Sequence, residues 1–303
     1  MDLDLMKKLC TLNEAQIHNV LLNIVKKKYR KYWESKEYIM AEGNIPVCLL
    51  AHMDTVFPAP PAFDDFIYDP EKTVLWAPHG SGFDDLAGVA GILELLLKGH
   101  RPHLIFTHGE ELGGIGASAL VKDFPYCPFK DCRALIELDR ANEKDAVYYS
   151  CDNKNFERFI TNHGFTTAIG TFSDISIIMK SWGIAGVNLS IAYLDEHSYI
   201  ERLVCSWFDA NIKKIDKIIK DIKKEKQFIY QERQPIMIPR YQVPDDLTHN
   251  CLLCGILLDN QEKYIIRDEE FPYAVCPSCY QQYYIDEEDF LYGANEEFNR
   301  TTI

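Results

Sequence analysis

Apolar and polar positions change period several times along the chain, and each change marks an element. After Thr11-Leu-Asn-Glu14, which reads as a capping box, Ile17, Val20, Leu21, Ile24 and Val25 recur at helical spacing. That helix should fade in the basic run 26–31. Short apolar runs predict strands at 38–41, 47–51, 73–77, 103–107, 134–138 and 185–192. Helical patterns fall between them at 86–97, 115–121, 155–162 and 175–182. Gly88 and Gly91 would let the first of these pack closely. From Asn211 onward, Ile212, Ile215, Ile218, Ile219 and Ile222 line one face of a last helix whose other face is lysine-rich. Strands alternating with helices predict an α/β three-layer sandwich: a mostly parallel central sheet flanked by helices. The proline-rich stretch 58–61 marks a loop. A second such stretch, 234–244, has three prolines and reads as a linker. The expected division is a catalytic domain over 1–233, a linker over 234–247, and a small module with an acidic tail over 248–303.

Composition narrows the function. A chain of 303 residues, 47% hydrophobic, can bury a sizeable core. A net charge of −14 argues against nucleic-acid or anionic-membrane binding, both of which need basic surface. No run approaches the roughly 18 apolar residues of a membrane span. The first ten residues, MDLDLMKKLC, lack the apolar stretch of a signal peptide. A soluble cytoplasmic protein is expected. In a reducing compartment, paired cysteines more often bind metal than form disulfides.

The chemistry-bearing residues follow the predicted strands. His52 ends the run 47–51, and Asp54 lies where it could hold the second imidazole nitrogen. Asp84-Asp85 opens a helix after a glycine loop, in Gly80-Ser-Gly-Phe-Asp-Asp-Leu-Ala-Gly88. One of the two could serve as its cap, but a pair exceeds what capping needs. Glu110-Glu111 precedes Leu-Gly-Gly-Ile-Gly-Ala117, and adjacent side chains point different ways, so one could bind metal while the other acts as base. Asp139 ends the strand 134–138, with Glu137 as a rival ligand. His197 follows the strand 185–192. In an α/β sheet, strand ends are where sites are built. Imidazole nitrogens and carboxylate oxygens gathered there suit a pair of zinc ions.

Together the segments HMDT, GFDDLAG, EELGGIGA, IELD, SDISIIMKSWGIAGVNLS and HSYIE, over about half the chain, resemble the co-catalytic di-zinc exopeptidase superfamily of aminopeptidases, carboxypeptidases and amino-acid deacylases. The resemblance implies that Asp84 bridges two metals. His52 and Asp139 would complete one site, Glu111 and His197 the other. Glu110 would be the general base, Asp54 would orient His52, and Asp85 would support a ligand from behind. Asp174 falls at a position the family often keeps acidic. Only 57 residues separate Asp139 from His197, and Asp84 follows His52 by 32, so neither interval holds an inserted domain. That spacing, and Asp rather than Glu at 139, resemble the compact aminopeptidases.

Near the C-terminus, Cys251-Leu-Leu-Cys254 and Cys276-Pro-Ser-Cys279 stand 21 residues apart, a spacing that suits a structural Cys₄ zinc site resembling a zinc ribbon. The segments 264–266 and 271–275 could supply its hairpin. Acidic flanks at 245–246, 268–270 and 286–289 disfavour nucleic acid, leaving a protein partner, substrate gating or self-association for the module. The expected function is hydrolysis of peptide or amide bonds by a compact zinc aminopeptidase acting on a peptide. The alternatives are a deacylase or amidase of an N-acylated small molecule, and an inactive adaptor working through the ribbon.

Overall fold

A computed structural model describes residues 1–233, Cys251, Leu258, 264–267 and 272–275. The chain divides into two units, Met1–Glu232 and Arg233–Ile303. In chain order the first unit contains α1 (Leu3–Cys10), α2 (Glu14–Lys28), β1 (Tyr32–Glu34), β2 (Tyr38–Ala41), β3 (Ile45–His52), β4 (Ile67–Asp69), β5 (Val74–Trp76), α3 (Phe83–Leu97), β6 (Pro102–Thr107), α4 (Ile115–Asp123), β7 (Leu135–Arg140), β8 (Asp145–Val147), α5 (Lys154–Asn162), β9 (Thr166–Ala168), α6 (Asp174–Trp182), β10 (Gly186–Ser190), β11 (Tyr193–Leu194), β12 (Arg202–Val204) and α7 (Cys205–Asp221).

The main sheet runs β1-β2-β6-β3-β7-β10-β8-β9. Its centre, β6-β3-β7-β10, is parallel. A sheet of this kind is covered on both faces, so its strands are apolar throughout rather than alternating. Val47, Cys48, Leu49, Leu50 and Ala51 of β3 are all buried. Strand alternation then assigns the two faces. Leu138 of β7 meets α3: a Cβ on Gly88 would stand 2.1 Å from the Leu138 carbonyl, and one on Gly91 would stand 2.9 Å from Ile212 of α7. The two glycines allow that approach. Glu137 and Asp139 face the other way, toward Ser173 at the start of α6. This is the three-layer α/β architecture the sequence predicts.

Three local features differ from the sequence reading. The capping box of α2 is Asn13 with Gln16, not Thr11 with Glu14: the Asn13 side chain accepts from the Gln16 amide, and Gln16 reciprocates. Thr11 instead closes α1, a helix the sequence reading missed, and its hydroxyl donates to the Lys8 carbonyl. The predicted strand at 73–77 forms as β5 but leaves the main sheet. It joins a second, antiparallel sheet ordered β11-β12-β5-β4. These strands are two or three residues long, too short to show a period.

In the second unit, β13 (Tyr264–Arg267) pairs antiparallel with β14 (Pro272–Val275). Cys251, Leu258, Ala274 and Val275 are buried. Cys254, Cys276 and Cys279 lie outside the described residues. No helix among the described residues is long and apolar enough to cross a membrane.

Candidate metal centre

Three parallel strands end side by side. His52 closes β3 and is in register with Thr107 of β6. The chain beyond Thr107 turns through Gly109, Glu110 and Glu111. On the other flank of β3, β7 delivers Asp139. The small sheet brings two further groups to this edge. The loop after β5 leads into α3 at Asp84, and the loop between β11 and β12, two strands of that same sheet, carries His197. Asp84 and Asp85 depart from helical geometry inside α3, and their peptide is cis. His197 lies at φ 58°, in the left-handed region that few non-glycine residues occupy.

Asp84 is at the centre. Its Oδ1 is 3.2 Å from His52 Nε2, and its Oδ2 is 3.1 Å from His197 Nε2. His52 Nε2 is also 3.4 Å from Asp139 Oδ1, and His197 Nε2 is 2.9 Å from Glu111 Oε2. One carboxylate thus faces two nitrogen–carboxylate pairs, one through each oxygen. Two triads, His52–Asp84–Glu111 and His52–Asp85–Asp139, can each bring one donor atom per residue within 4.8 Å of the others. Asp85 is the less available donor. Its Oδ2 accepts from the His52 amide and its Oδ1 from the Gly88 amide, so it braces β3 against α3.

Other residues hold this arrangement. His52 Nδ1 donates to the Asp54 carbonyl at 3.0 Å and stands 3.4 Å from its carboxylate. That carboxylate also accepts from the amides of Gly109, Glu110 and Glu111, so Asp54 ties the His52 ring to the acidic turn. Asp139 accepts from Ser173, Asn188 and Tyr193 side chains. Glu137, the rival ligand, instead accepts from Ser173 and the Ile175 amide. Sequence reading missed Ser173, Asn188 and Tyr193, whose polar side chains are ordinary until the fold buries them beside Asp139.

Glu201 was also missed as an actor. It is fully buried, and its two carboxylate oxygens accept from the amides of Phe83, at 3.1 Å, and Asp84, at 2.9 Å. It therefore sets the backbone that aims Asp84. Glu201→Ala should weaken metal binding about 10- to 100-fold, as loss of a supporting hydrogen bond commonly does. Titration of the metal-free protein with zinc checks this, and unchanged affinity would remove Glu201 from the account.

The site carries more negative charge than its side chains neutralise. Among the described residues, the ion-pair partners of Asp84, Asp139 and Glu111 are the two histidines. Burial, reinforced by Asp139, Asp174 and Asp84, pushes the Glu110 carboxyl up to about 9. Burial raises Asp139 to about 6 despite His52, and Asp174 to about 7. Hydrogen bonds to Asp84 and Glu111 raise His197 to about 11. Burial opposes protonation of His52, but Asp139, Asp54 and Asp84 outweigh it and raise that ring as well. Protons and imidazolium charge stand where cations would serve better. A donor set of two imidazoles and several carboxylates, short of positive charge, suits divalent metal, whose binding displaces protons.

A pH dependence follows. These groups bind protons more tightly folded than unfolded, so their contribution to stability is greatest in acid. It falls as pH rises through the values near 6, 7 and 9 of Asp139, Asp174 and Glu110. Hydrogen bonds from His197 and His52 overcome burial and hold Asp84 low, so it opposes this trend only in strong acid. The metal-free protein should melt at a lower temperature at about pH 8.5 than at about pH 5.5, and zinc should raise the alkaline midpoint most. Equal midpoints with and without zinc would contradict the charge deficit.

No protein-family model and no curated protein matches the sequence. The fold is shared with solved structures. The aminopeptidase PepT of Bacillus cereus aligns with a TM-score of 0.56 at 14% identity, over 73% of this chain and 98% of that one. A tripeptidase of Staphylococcus aureus aligns with a TM-score of 0.59 at 16% identity, over 73% and 97%. An aminopeptidase of the archaeon Desulfurococcus kamchatkensis aligns with a TM-score of 0.52 at 14% identity, over 72% and 94%. At these identities the chain shares their fold, and its chemistry rests on its own residues.

Proposed function

We propose that the protein is a two-zinc aminopeptidase, with Asp84 bridging the metals, His52 and Asp139 completing one site, and Glu111 and His197 the other. The carrying observation is the Asp84 carboxylate, which turns one oxygen to each histidine. The shared fold of three peptidases supports the reading. Two bound zinc ions would supply Lewis acidity, polarising a carbonyl and lowering the pKa of water.

Glu110 acts as the base. Its carboxyl lies in a buried, acid-rich pocket that keeps it protonated without cations. Neutralising Asp84 and Asp139 would remove two of the charges that raise it and so favour the carboxylate, the form that can take a proton from water. It then gives that proton to the leaving nitrogen. Asp54 holds the Glu110 amide and the His52 ring in one network, so base and ligand keep a fixed separation. His197 is half exposed, which sets the open side of the site next to Glu111.

A panel of aminoacyl amides, short peptides and N-acyl amino acids offered to the zinc-loaded protein tests the assignment. Turnover requiring a free amino terminus is expected. Turnover of N-acyl compounds alone would make the protein a deacylase.

A further inference from the structure

The connection from α4 to β7 carries two cysteines five positions apart, in Phe124-Pro-Tyr-Cys127-Pro-Phe-Lys-Asp-Cys132. It lies at the opposite end of the sheet from the candidate metal centre. Arg133 and Ala134, just past the second cysteine, bond to Pro46 and Cys48 at the start of β3. Cys127 and Cys132 both line one cavity of about 440 Å³, with Phe129, Trp182, Ile184 and Gln227. Their settings differ. Cys127 is partly exposed, whereas Cys132 is buried with its sulfur 3.6 Å from the Ala134 carbonyl. The intervening backbone is irregular and includes Asp131 at φ 57°.

We propose that Cys127 and Cys132 form an oxidant-reactive dithiol, in which Cys127 attacks a hydroperoxide entering the cavity and Cys132 resolves the product as an intrachain disulfide. In the first step the Cys127 thiolate attacks one peroxide oxygen. A sulfur–oxygen bond forms to the terminal oxygen, the oxygen–oxygen bond breaks, alkoxide leaves (hydroxide where the oxidant is hydrogen peroxide), and the sulfur is oxidised by two electrons to a sulfenic acid. In the second, the Cys132 sulfur attacks that of Cys127. The disulfide forms, the sulfur–oxygen bond breaks, and the hydroxyl leaves with the Cys132 proton as water.

The two thiols are unequal in the required sense. Hydrogen bonding with Cys132 draws the Cys127 thiol below its ordinary range, and the same contact, with burial, pushes Cys132 up. The exposed member is the better nucleophile and the buried one is held in reserve. Cys10, Cys48, Cys151 and Cys205 are buried, and none of them lines this cavity.

The test uses the full chain, reduced, freed of reductant and treated with hydrogen peroxide. Remaining thiols are alkylated after denaturation, and the protein is digested with trypsin without reduction. Cleavage at Lys130 separates the two cysteines, so a disulfide appears as two peptides joined until reductant is added. Joined peptides are expected at a dose that leaves Cys10, Cys48, Cys151 and Cys205 alkylatable, with Cys127 reacting roughly tenfold faster than any of them. In Cys132→Ser, Cys127 should stop at the sulfenic acid and be captured by dimedone. In Cys127→Ser, neither product should form. The map of the unaltered protein stands whether or not the variants fold. Failure to detect the joined peptides, or oxidation of Cys127 no faster than that of the buried cysteines, would overturn the proposal.

Discussion

Glu110→Gln should lower turnover of the best substrate about 10²- to 10⁴-fold, the range expected for loss of a general base. It should leave zinc content and the melting midpoint of the zinc-loaded protein nearly unchanged. The substitution keeps the side chain's shape and removes only its ability to take a proton. The Glu110 amide bond to Asp54 is a main-chain contact and survives. In the metal-free protein the variant should be slightly more stable at alkaline pH, because a carboxyl that resists ionisation there has been removed. Paired kinetics and metal analysis separate this role from ligation. A loss of zinc in parallel with activity would move Glu110 into the ligand set, and retained activity would end its assignment as base.

Which of Glu110 and Glu111 binds metal and which acts as base was implied by resemblance alone. The structure adds a physical distinction: Glu111 faces His197, while Glu110 sits among Asp139, Asp174 and Asp84. The parallel core was legible for a related reason. Strands buried on both faces leave continuous apolar runs, and two of these runs lead into residues of the site: β3 into His52 and β7 into Asp139. Of the small antiparallel sheet only β5 was legible as a strand, and its place outside the main sheet was not. Its strands are two or three residues long, yet it places Asp84 and His197 within 3.1 Å of one another. Glu201 was hidden by its own chemistry, since a glutamate in a polar loop reads as solvated until the fold buries it against two amides. Asp85 was equally ambiguous beside Asp84 from the residues alone; the resemblance implied a supporting role, and its bonds to the His52 and Gly88 amides give that role a physical form.

Asp84→Ala should have the larger effect on composition. With the shared carboxylate gone, each remaining nitrogen–carboxylate pair has two protein ligands, too few for a tight zinc site. Both catalytic ions should be lost together, and activity with them. With one further ion expected at the four C-terminal cysteines, zinc content should fall from about three per chain to about one. His197→Ala provides the contrast, since it removes a group from only one side of Asp84 and should release one ion more readily than the other. Glu201 holds the Asp84 backbone rather than its carboxylate, so the α3 start should survive the change, and circular dichroism can verify it. Stepwise loss of zinc from Asp84→Ala, or retention of one tight ion in the first unit, would mean that the two sites do not share this residue.

In the proposed arrangement a single carboxylate joins two metal positions. The most direct measurement is a crystal structure of the zinc-loaded protein with anomalous data at the zinc edge. Two peaks about 3.5–4 Å apart are expected. One would be ligated by Asp84 Oδ1, His52 and Asp139, the other by Asp84 Oδ2, His197 and Glu111. A single peak in this region, or two peaks with Asp84 bound to only one, would contradict it.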